Sequence, residues 1–376
     1  MPLDKKNRLW YRYQKSLSDN VIRVHFMPGK KSKMVKQSIT IADVARVAGV
    51  SVPTVSRILN KKEYVADETR DRVNEAIKEL GYVPHFQAQR LRGGASRTLA
   101  LHYPVESPHL LSSVVATPYI IGAATAAGEQ GYFLNFLISQ LTPDILLNMY
   151  RSNQVDGMIL LQVSLDDWRV NLLREYDYPF VMHGRCADLE NLTFIDLDFE
   201  TVMLQAFEHL VALGHREIGL LTYPQHWRTT TLAPATHAFN GYERALHKYG
   251  LQAFYRETDL RFEDSFAATD SLLDENPQLT AIVVIMTNHL TAAGSLQALA
   301  KRGYRVPEDC SVLGVGFGEF GQGITPSLTA FEWSSYEVSY QATQMMIEML
   351  TQETRSPQQV LVPPKLVIRE STKAIR

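Results

Sequence analysis

Short apolar runs alternate with helical stretches from Thr98 to the end of the chain. The runs are rich in Val, Ile, Leu and Phe and are bounded by turn residues, which is typical of buried strands. Strands are expected at 98–103, 133–138, 157–162, 179–184, 193–198, 217–222, 281–286 and 311–316. Because strands separated by helices pair in parallel, the pattern predicts an α/β body of parallel sheets with helices on both faces. Its length, about 275 residues, favours two lobes with a ligand cleft at the strand ends.

A different pattern precedes this body, because three helical segments follow one another within residues 38–84. The first has Thr40 as N-cap, Asp43 as its capping-box partner and Gly49 at its end. The second begins after Ser51, and the third has acidic residues in its first turn and a lysine in its last. A helix, a glycine-containing turn and a short second helix predict an all-α helix-turn-helix head.

The second helix, within SVPTVSRILN, has one apolar face and one sparse, polar face. Val55 and Leu59 are expected to pack inward. The opposite face carries Val52, Pro53, Ser56, Arg57 and Asn60. The major groove of DNA admits the start of such a helix, and an arginine there binds guanine through two hydrogen bonds. The pattern alone leaves open an ordinary three-helix bundle with a polar face.

The charge of the chain is unevenly distributed. Residues 1–97 carry 20 Lys and Arg against 9 Asp and Glu, whereas the remainder carries 18 against 31. A basic head on an acidic body favours contact of the head with a polyanion. Residues 1–37 hold 10 of these basic residues and 2 acidic ones without a clear period, so we expect a disordered extension. Translation from Met1 and from Met34 both remain open.

Several other classes of protein are disfavoured by the sequence. No apolar run is long enough for a membrane span, and the basic N-terminus lacks the apolar core of a secretory signal. Two cysteines suit a reducing cytoplasm and form neither a disulfide framework nor a zinc pattern. HExxH, GxSxG, Walker A and dinucleotide-binding motifs are missing, so we expect no enzyme activity, no cofactor and no metal.

The head and several body segments together resemble the LacI/GalR family of bacterial transcription regulators. The resemblance is carried by TIADVARVAGVSVPTVSRILN, VADETRDRVNEAIKELGYVPHFQAQRLRGGASRTLAL, VDGMIL, EHLVALGHREIGLL, FNGYERAL, DCSVLGVGF, TPSLT and IREST, nearly everything from residue 38 onward. It implies a periplasmic-binding-protein-like body and a homodimer on a pseudo-palindromic, double-stranded DNA operator. The implied layout is an extension at 1–37, a head at 38–84, a hinge helix and linker at 85–96 and a body at 97–373. Within the body the N-lobe takes about 97–197 and 334–361, and the C-lobe takes about 198–333 and 362–373.

The resemblance also implies which residues of the head contact DNA. They are Thr40, Ile41, Ser51, Val52, Pro53, Thr54, Ser56, Arg57, Asn60, Tyr64, Gln89, Leu91 and Arg92. The specificity pair of the family is here Val52 and Pro53, both apolar, so Arg57 is expected to dominate direct reading of bases. Leu91 matches the leucine that two subunits wedge into the minor groove, kinking the duplex. Without the resemblance, packing within the hinge explains Leu91 better.

The effector pocket that the resemblance implies departs from the usual pattern. Its residues are His102, Tyr119, Arg185, Trp227, Thr236, Asn288, His289, Phe317 and Trp333. Thr236 stands where the family usually has an arginine, and His289 and Gly316 stand where it usually has aspartates. Aromatic faces with neutral hydrogen-bonding groups favour a sugar over a purine. Any one of the aromatic residues can equally belong to a lobe core or a dimer interface.

Together these features predict a cytoplasmic, homodimeric repressor whose two lobes close on a small molecule, expected to be a sugar. Only KAIR follows IREST, so a dimer is favoured over a tetramer that assembles through a C-terminal coiled coil. Two alternatives remain: control by a protein corepressor, and a solute-binding module without regulatory action.

Overall fold

The computed structural model describes most of the chain beyond residue 38. The described residues are 39–59, 66–82, 95–104, 116–138, 140–228, 232–259, 261–286, 289–316, 323–352, 356–363 and 365–375. The chain divides after His85 into two compact units, of which the first contains the head and the second contains the body.

The head contains three helices, α1 (Ile41–Ala48), α2 (Val52–Leu59) and α3 (Asp67–Leu80). The predicted cap of α1 is confirmed, because the Asp43 carboxylate accepts hydrogen bonds from the Thr40 amide at 3.0 Å and hydroxyl at 2.8 Å. Gly49 ends α1 in the left-handed conformation at φ 67°, which a residue without Cβ adopts at little cost. The three helices enclose one small core, formed by Val44, Ala45, Ala48, Val55, Val73, Ala76 and Tyr82.

The N-lobe of the body is a six-stranded sheet in the order β11-β5-β4-β3-β1-β2, with every described pair parallel. Its strands are β1 (Thr98–His102), β2 (Phe133–Leu137), β3 (Gly157–Leu160), β4 (Phe180–His183), β5 (Phe194–Leu197) and β11 (Gln359–Val362). Its helices are α4 (Ala116–Glu129), α5 (Pro143–Arg151), α6 (Trp168–Glu175) and α11 (Ser335–Thr351). The sheet has a core on each face, one built with α4 and α11 and the other with α5 and α6.

The C-lobe has the same design, in the order β12-β10-β9-β8-β6-β7, with β12 antiparallel to β10. Its strands are β6 (Ile218–Thr222), β7 (Phe254–Glu257), β8 (Ala281–Met286), β9 (Ser311–Gly316), β10 (Thr329–Glu332) and β12 (Lys365–Val367). Its helices are α7 (Phe199–Ala212), α8 (Ala233–Tyr249), α9 (Phe262–Glu275) and α10 (His289–Lys301). One face is covered by α7 and α8 and the other by α9 and α10.

The chain crosses between the lobes three times, after β5, after β10 and after β11. All eight strands predicted from apolar runs are confirmed, whereas β7, β10, β11 and β12 were not predicted. Val362, one residue beyond the approximate predicted end of the N-lobe, pairs with Leu197 in the N-lobe sheet. Residues 1–37 and residues 85–94 of the hinge predicted at 85–96 lie outside the described residues.

Close helix packing depends on glycine at the surface of the N-lobe. A Cβ atom on Gly122 of α4 would meet the backbone carbonyl group of Tyr336 in α11. The absence of a side chain therefore lets the two helices cross at short range. These helices form one face of the lobe, on which Ile121 is 51% exposed and Tyr336 is 36% exposed.

Candidate functional site

The first candidate site is the outer face of α2 in the head. The Ser51 hydroxyl caps this helix by accepting from the Thr54 amide at 3.3 Å, as predicted. Pro53 and Arg57 are exposed, which is what contact with a groove requires. Val52 is only partly exposed and packs against the head core, so part of its side chain is committed to the fold.

The other predicted DNA contacts fall into two groups. Thr40 is exposed at the start of α1, and Ile41 beside it packs partly against the head core. Thr54 and Ser56 are partly exposed on α2. Asn60, Tyr64, Gln89, Leu91 and Arg92 lie outside the described residues, so their roles stay predictions.

The second candidate site lies at the carboxyl ends of the body strands, where Arg185 follows β4. Arg185 Nε donates a 2.8 Å hydrogen bond to Oδ2 of Asp196 in β5. The Asp196 side chain is only 2% exposed, and this burial raises its pKa to about 6 despite the neighbouring guanidinium. Arg185 Nη2 is also buried, and it meets no hydrogen-bond partner within the described part of the chain. This nitrogen of the guanidinium can therefore donate a hydrogen bond to a ligand.

Two more aromatic side chains extend this site within the N-lobe. The rings of Tyr119 and His183 lie 5.0 Å apart and are tilted by 58°. Burial lowers the pKa of His183 to about 4, so its imidazole is neutral at physiological pH. His183 Nε2 is buried and, over the described ranges, has no hydrogen-bond partner. A neutral imidazole can donate to or accept from a hydroxyl group.

The C-lobe contributes His237 of α8 and Tyr223, which follows β6. His237 Nε2 is the third buried nitrogen of this site that finds no partner in the described residues. The pKa of His237 is lowered first by burial and then by the positive charge of Arg185. The two side chains therefore lie within electrostatic range of each other. Tyr223 is likewise buried, and the Tyr103 hydroxyl of the N-lobe contributes to raising its pKa. Groups from both lobes therefore converge here.

Other predicted pocket residues take structural positions. His102 is 1% exposed, with Nδ1 2.9 Å from Nη1 of Arg169 inside the N-lobe. Trp333 is 8% exposed in the C-lobe core, where its ring meets Phe199 edge-on with centroids 5.5 Å apart. The Thr236 hydroxyl donates to the carbonyl of Arg228 at 2.5 Å.

Of the remaining predicted pocket residues, two lie among the described residues. Trp227 is partly buried beside Tyr223, with ring centroids 5.9 Å apart. His289 begins α10 and is exposed. Asn288 and Phe317 lie outside the described residues.

The sequence reasoning missed five residues of this site, namely Tyr103, His183, Asp196, Tyr223 and His237. Four of them lie at or next to the carboxyl end of a strand, where parallel sheets bind ligands. A systematic reading of polar and aromatic residues at these positions would have found them. His237 lies within a helix and carried no comparable signal.

The described part of the chain contains no helix that is long and apolar enough to cross a membrane. It also contains no group of three or more His, Cys, Asp and Glu side chains placed to hold a metal ion.

Both units of the chain are similar to known protein families. Residues 40–85 match the model of bacterial regulatory proteins of the lacI family, and residues 207–372 match the model of a periplasmic binding protein-like domain. The HTH-type transcriptional repressor PurR of Mannheimia succiniciproducens is 30% identical over 348 residues, covering 89% of this chain and 99% of the relative.

Two solved structures are also similar over nearly the whole chain. A lac repressor dimer bound to operator and the anti-inducer ONPF has a TM-score of 0.76 at 26% identity, covering 90% of this chain and all of the other. A transcriptional regulator CelR–cellobiose complex has a TM-score of 0.65 at 27% identity, covering 89% of this chain and 99% of the other. The chain belongs to the LacI family of bacterial regulatory proteins and is a DNA-binding transcriptional regulator.

Proposed function

We propose that this regulator is a homodimeric repressor whose operator affinity is set by a neutral sugar bound between the lobes. The observation that carries the effector is a group of buried nitrogens, on His183, Arg185 and His237, that have no hydrogen-bond partner among the described residues. A buried polar atom without a hydrogen bond costs about 1–3 kcal/mol, and the hydroxyl groups of a sugar would remove that cost. The similarity to a CelR–cellobiose complex supports this class of ligand.

The charge of the site favours a neutral ligand over an ionic one. The Arg185 guanidinium is already paired with Asp196, and the pKa values of His183 and His237 are lowered, which leaves both rings neutral. The Tyr119 ring packs beside His183 but is only 5% exposed within the N-lobe core, so it positions the imidazole rather than offering a face to a sugar. A ligand with several hydroxyl groups and no net charge therefore fits this site best.

The test of the effector is a thermal-shift screen on the full chain. Cellobiose, lactose, glucose and a purine base are compared at equal concentrations, since a ligand that binds only the folded state raises Tm. A rise with at least one sugar and none with the purine is expected. A rise with the purine alone would contradict the proposal. Stabilisation by none of them would direct attention to a protein corepressor.

The DNA-binding role is tested by selecting sites from a random double-stranded pool with the full chain. We expect a pseudo-palindrome whose two halves reflect the two subunits. Repeating the selection with the stabilising sugar shows whether the ligand releases or strengthens operator binding. Failure of a well-folded dimer to enrich any sequence, with or without sugar, would contradict an operator-binding role for the head.

The dimer is proposed to form on the face of α4 and α11 described above. Ile121 is half exposed there, and the rings of Tyr336 and Tyr340 stack nearby with centroids 6.0 Å apart. We expect Ile121→Arg to produce monomers in analytical ultracentrifugation, because a charge would be buried at the interface. Ile145→Arg is the matched control, since Ile145 is 48% exposed on α5. A dimer that persists in Ile121→Arg would exclude this face.

A further inference from the structure

A buried ion pair lies in the N-lobe outside the residues assigned to the effector. The Arg169 and Asp167 side chains are 4% and 2% exposed, and their closest N–O distance is 2.7 Å. Removing two charges from water costs several kcal/mol per ion, and a buried pair is by itself weak evidence of stabilisation. The contacts of this pair therefore indicate what it contributes.

Arg169 uses its guanidinium to hold the carboxyl ends of two strands. Nη2 donates to the backbone carbonyls of Leu161 at 3.2 Å and Gln162 at 3.1 Å, directly after β3. Nη1 lies 2.9 Å from Nδ1 of His102, the last residue of β1. Because a guanidinium only donates, this His102 nitrogen accepts. One side chain thus ties the end of β1 to the loop that follows β3.

That loop, residues 161–165, has a backbone that needs such support. Gln162 is in the left-handed region at φ 51°, which is uncommon for a residue with a side chain. Its side-chain amide donates to the Tyr103 hydroxyl at 3.2 Å. The Ser164 amide donates to Asp167 at 3.1 Å, so both members of the buried pair hold the loop.

The same loop also makes a hydrogen bond between the lobes. The carbonyl of Val163 accepts from the amide of Ala233 in the C-lobe at 3.2 Å. Ala233 is the first residue of α8, and the first amides of a helix have no partner within it. The N-lobe loop therefore supplies an acceptor to the helix that carries His237.

We propose that Arg169 is a positioning residue for effector binding, a role that rests on the proposed function. It holds the loop so that Val163 and Ala233 bond, and this contact keeps His237 close to Arg185. Loss of either end of this arrangement is then expected to separate the lobes and to weaken sugar binding. Arg169 itself need not touch the sugar.

The test uses Ala233→Pro and Arg169→Met in the full chain. Proline lacks the amide hydrogen and is accepted in the first turn of a helix. Leu232, at φ −130° and ψ 99°, lies outside the α region that proline disfavours in the residue before it. Arg174→Met is the matched control, because Arg174 lies on α6 like Arg169 but pairs with Asp188 at the surface.

The first readout needs no ligand. Spin labels on exposed Asp177 in the N-lobe and Asn240 in the C-lobe report the distance between the lobes by pulsed electron resonance. Ala233→Pro and Arg169→Met are both expected to lengthen or broaden the distribution, while Arg174→Met leaves it unchanged. An unchanged distribution in Ala233→Pro would overturn the proposal. If Arg169→Met does not fold, the proposal is tested by Ala233→Pro and Arg169→Lys. Lysine keeps the positive charge but lacks the forked set of N–H donors of the guanidinium. A wild-type distance distribution in Arg169→Lys would therefore also overturn the proposal.

The second readout is the affinity for whichever sugar stabilises the wild type in the screen. Loss of one hydrogen bond between the lobes is expected to weaken binding about tenfold in both variants. If the wild type binds none of the sugars, the proposal of a sugar effector is wrong. The spin-label distances still test whether the loop at 161–165 holds the lobes together. Wild-type affinity in a variant with separated lobes would overturn the role of Arg169 in binding.

Discussion

Arg185 and Asp196 form an ion pair that leaves one guanidinium nitrogen, Nη2, buried without an acceptor among the described residues. The pair lies within the N-lobe, yet the charge of Arg185 reaches His237 in the C-lobe. A ligand that reaches both side chains would bond to both lobes at once. A molecule that does so binds the closed body better than the open one, and this difference in affinity is what shifts a two-state equilibrium.

The role of His237 can be separated from fold stability. We expect His237→Leu to weaken sugar binding about tenfold, because it removes a hydrogen bond to a hydroxyl group. The free energy of unfolding without sugar should stay the same or rise, since an apolar group replaces a buried nitrogen that has no partner among the described residues. Isothermal titration and urea denaturation measure the two effects.

His247→Leu is the control for this experiment, because His247 is exposed on the same helix. It is expected to leave sugar affinity unchanged. Equal loss of affinity in both variants, or none in His237→Leu, would remove His237 from the site.

The buried carboxyl of Asp196 predicts a pH dependence of stability. Its pKa is raised from 3.8 to about 6, so the ionised form is disfavoured in the folded state. The free energy of unfolding of the wild type should therefore fall, relative to Asp196→Asn, as the pH rises from 4 to 7. The shift corresponds to about 2–3 kcal/mol by linkage.

Urea denaturation of both proteins at several pH values measures that difference. The histidines are present in both proteins and affect both curves in nearly the same way at each pH, so the slope of the difference reports Asp196. A difference that is independent of pH would show that Asp196 ionises as readily in the folded state as in the unfolded state.

Direct reading of DNA is expected to depend on Arg57. Replacement by alanine should cost about 1–3 kcal/mol at the selected operator and relax the sequence preference at one position of each half-site. Fluorescence anisotropy with the operator and with single-base variants measures both. Arg70→Ala is the control, because Arg70 on α3 pairs with Asp67 at 3.1 Å. If both variants lose affinity equally for all sequences, Arg57 contacts phosphate only.

The crossing of α4 and α11 gives a prediction about packing. Gly122→Ala should destabilise the body by about 1–3 kcal/mol, because its methyl group would meet the Tyr336 carbonyl. Gly128→Ala on the same helix is the matched control, since no described atom lies within 4 Å of its added Cβ. That change should be neutral or stabilise by up to about 1 kcal/mol. Equal unfolding midpoints for the two variants would contradict the close crossing.

The strands show which part of the fold can be predicted from the sequence. Apolar runs predicted every strand in the middle of the two sheets except β10, because strands covered by helices on both faces are nearly continuously apolar. Three of the four missed strands, β7, β11 and β12, are at sheet edges. The residues of β11 are mostly exposed, and this leaves no apolar run to detect. The fourth, β10, has only four residues.

The candidate site was predictable in place but not in its contacts. The carboxyl ends of the strands were expected to form the cleft, and Arg185 and Tyr119 lie there. Sequence alone does not reveal the direction of a side chain, however, and His102 faces the buried guanidinium of Arg169. The partner of Arg185 was missed because Asp196 lies within an otherwise apolar strand.

The three crossings between the lobes also determine the order in which they can be completed during synthesis. All four C-lobe helices and every C-lobe strand except β12 lie between residues 199 and 332, in one continuous stretch. The N-lobe lacks α11 and β11 until the end of the chain is made, and Val338, Ala342 and Met346 of α11 belong to its core. Although the N-lobe begins first, the ribosome therefore releases a nearly complete C-lobe while one face of the N-lobe sheet is covered by α4 alone and still lacks α11.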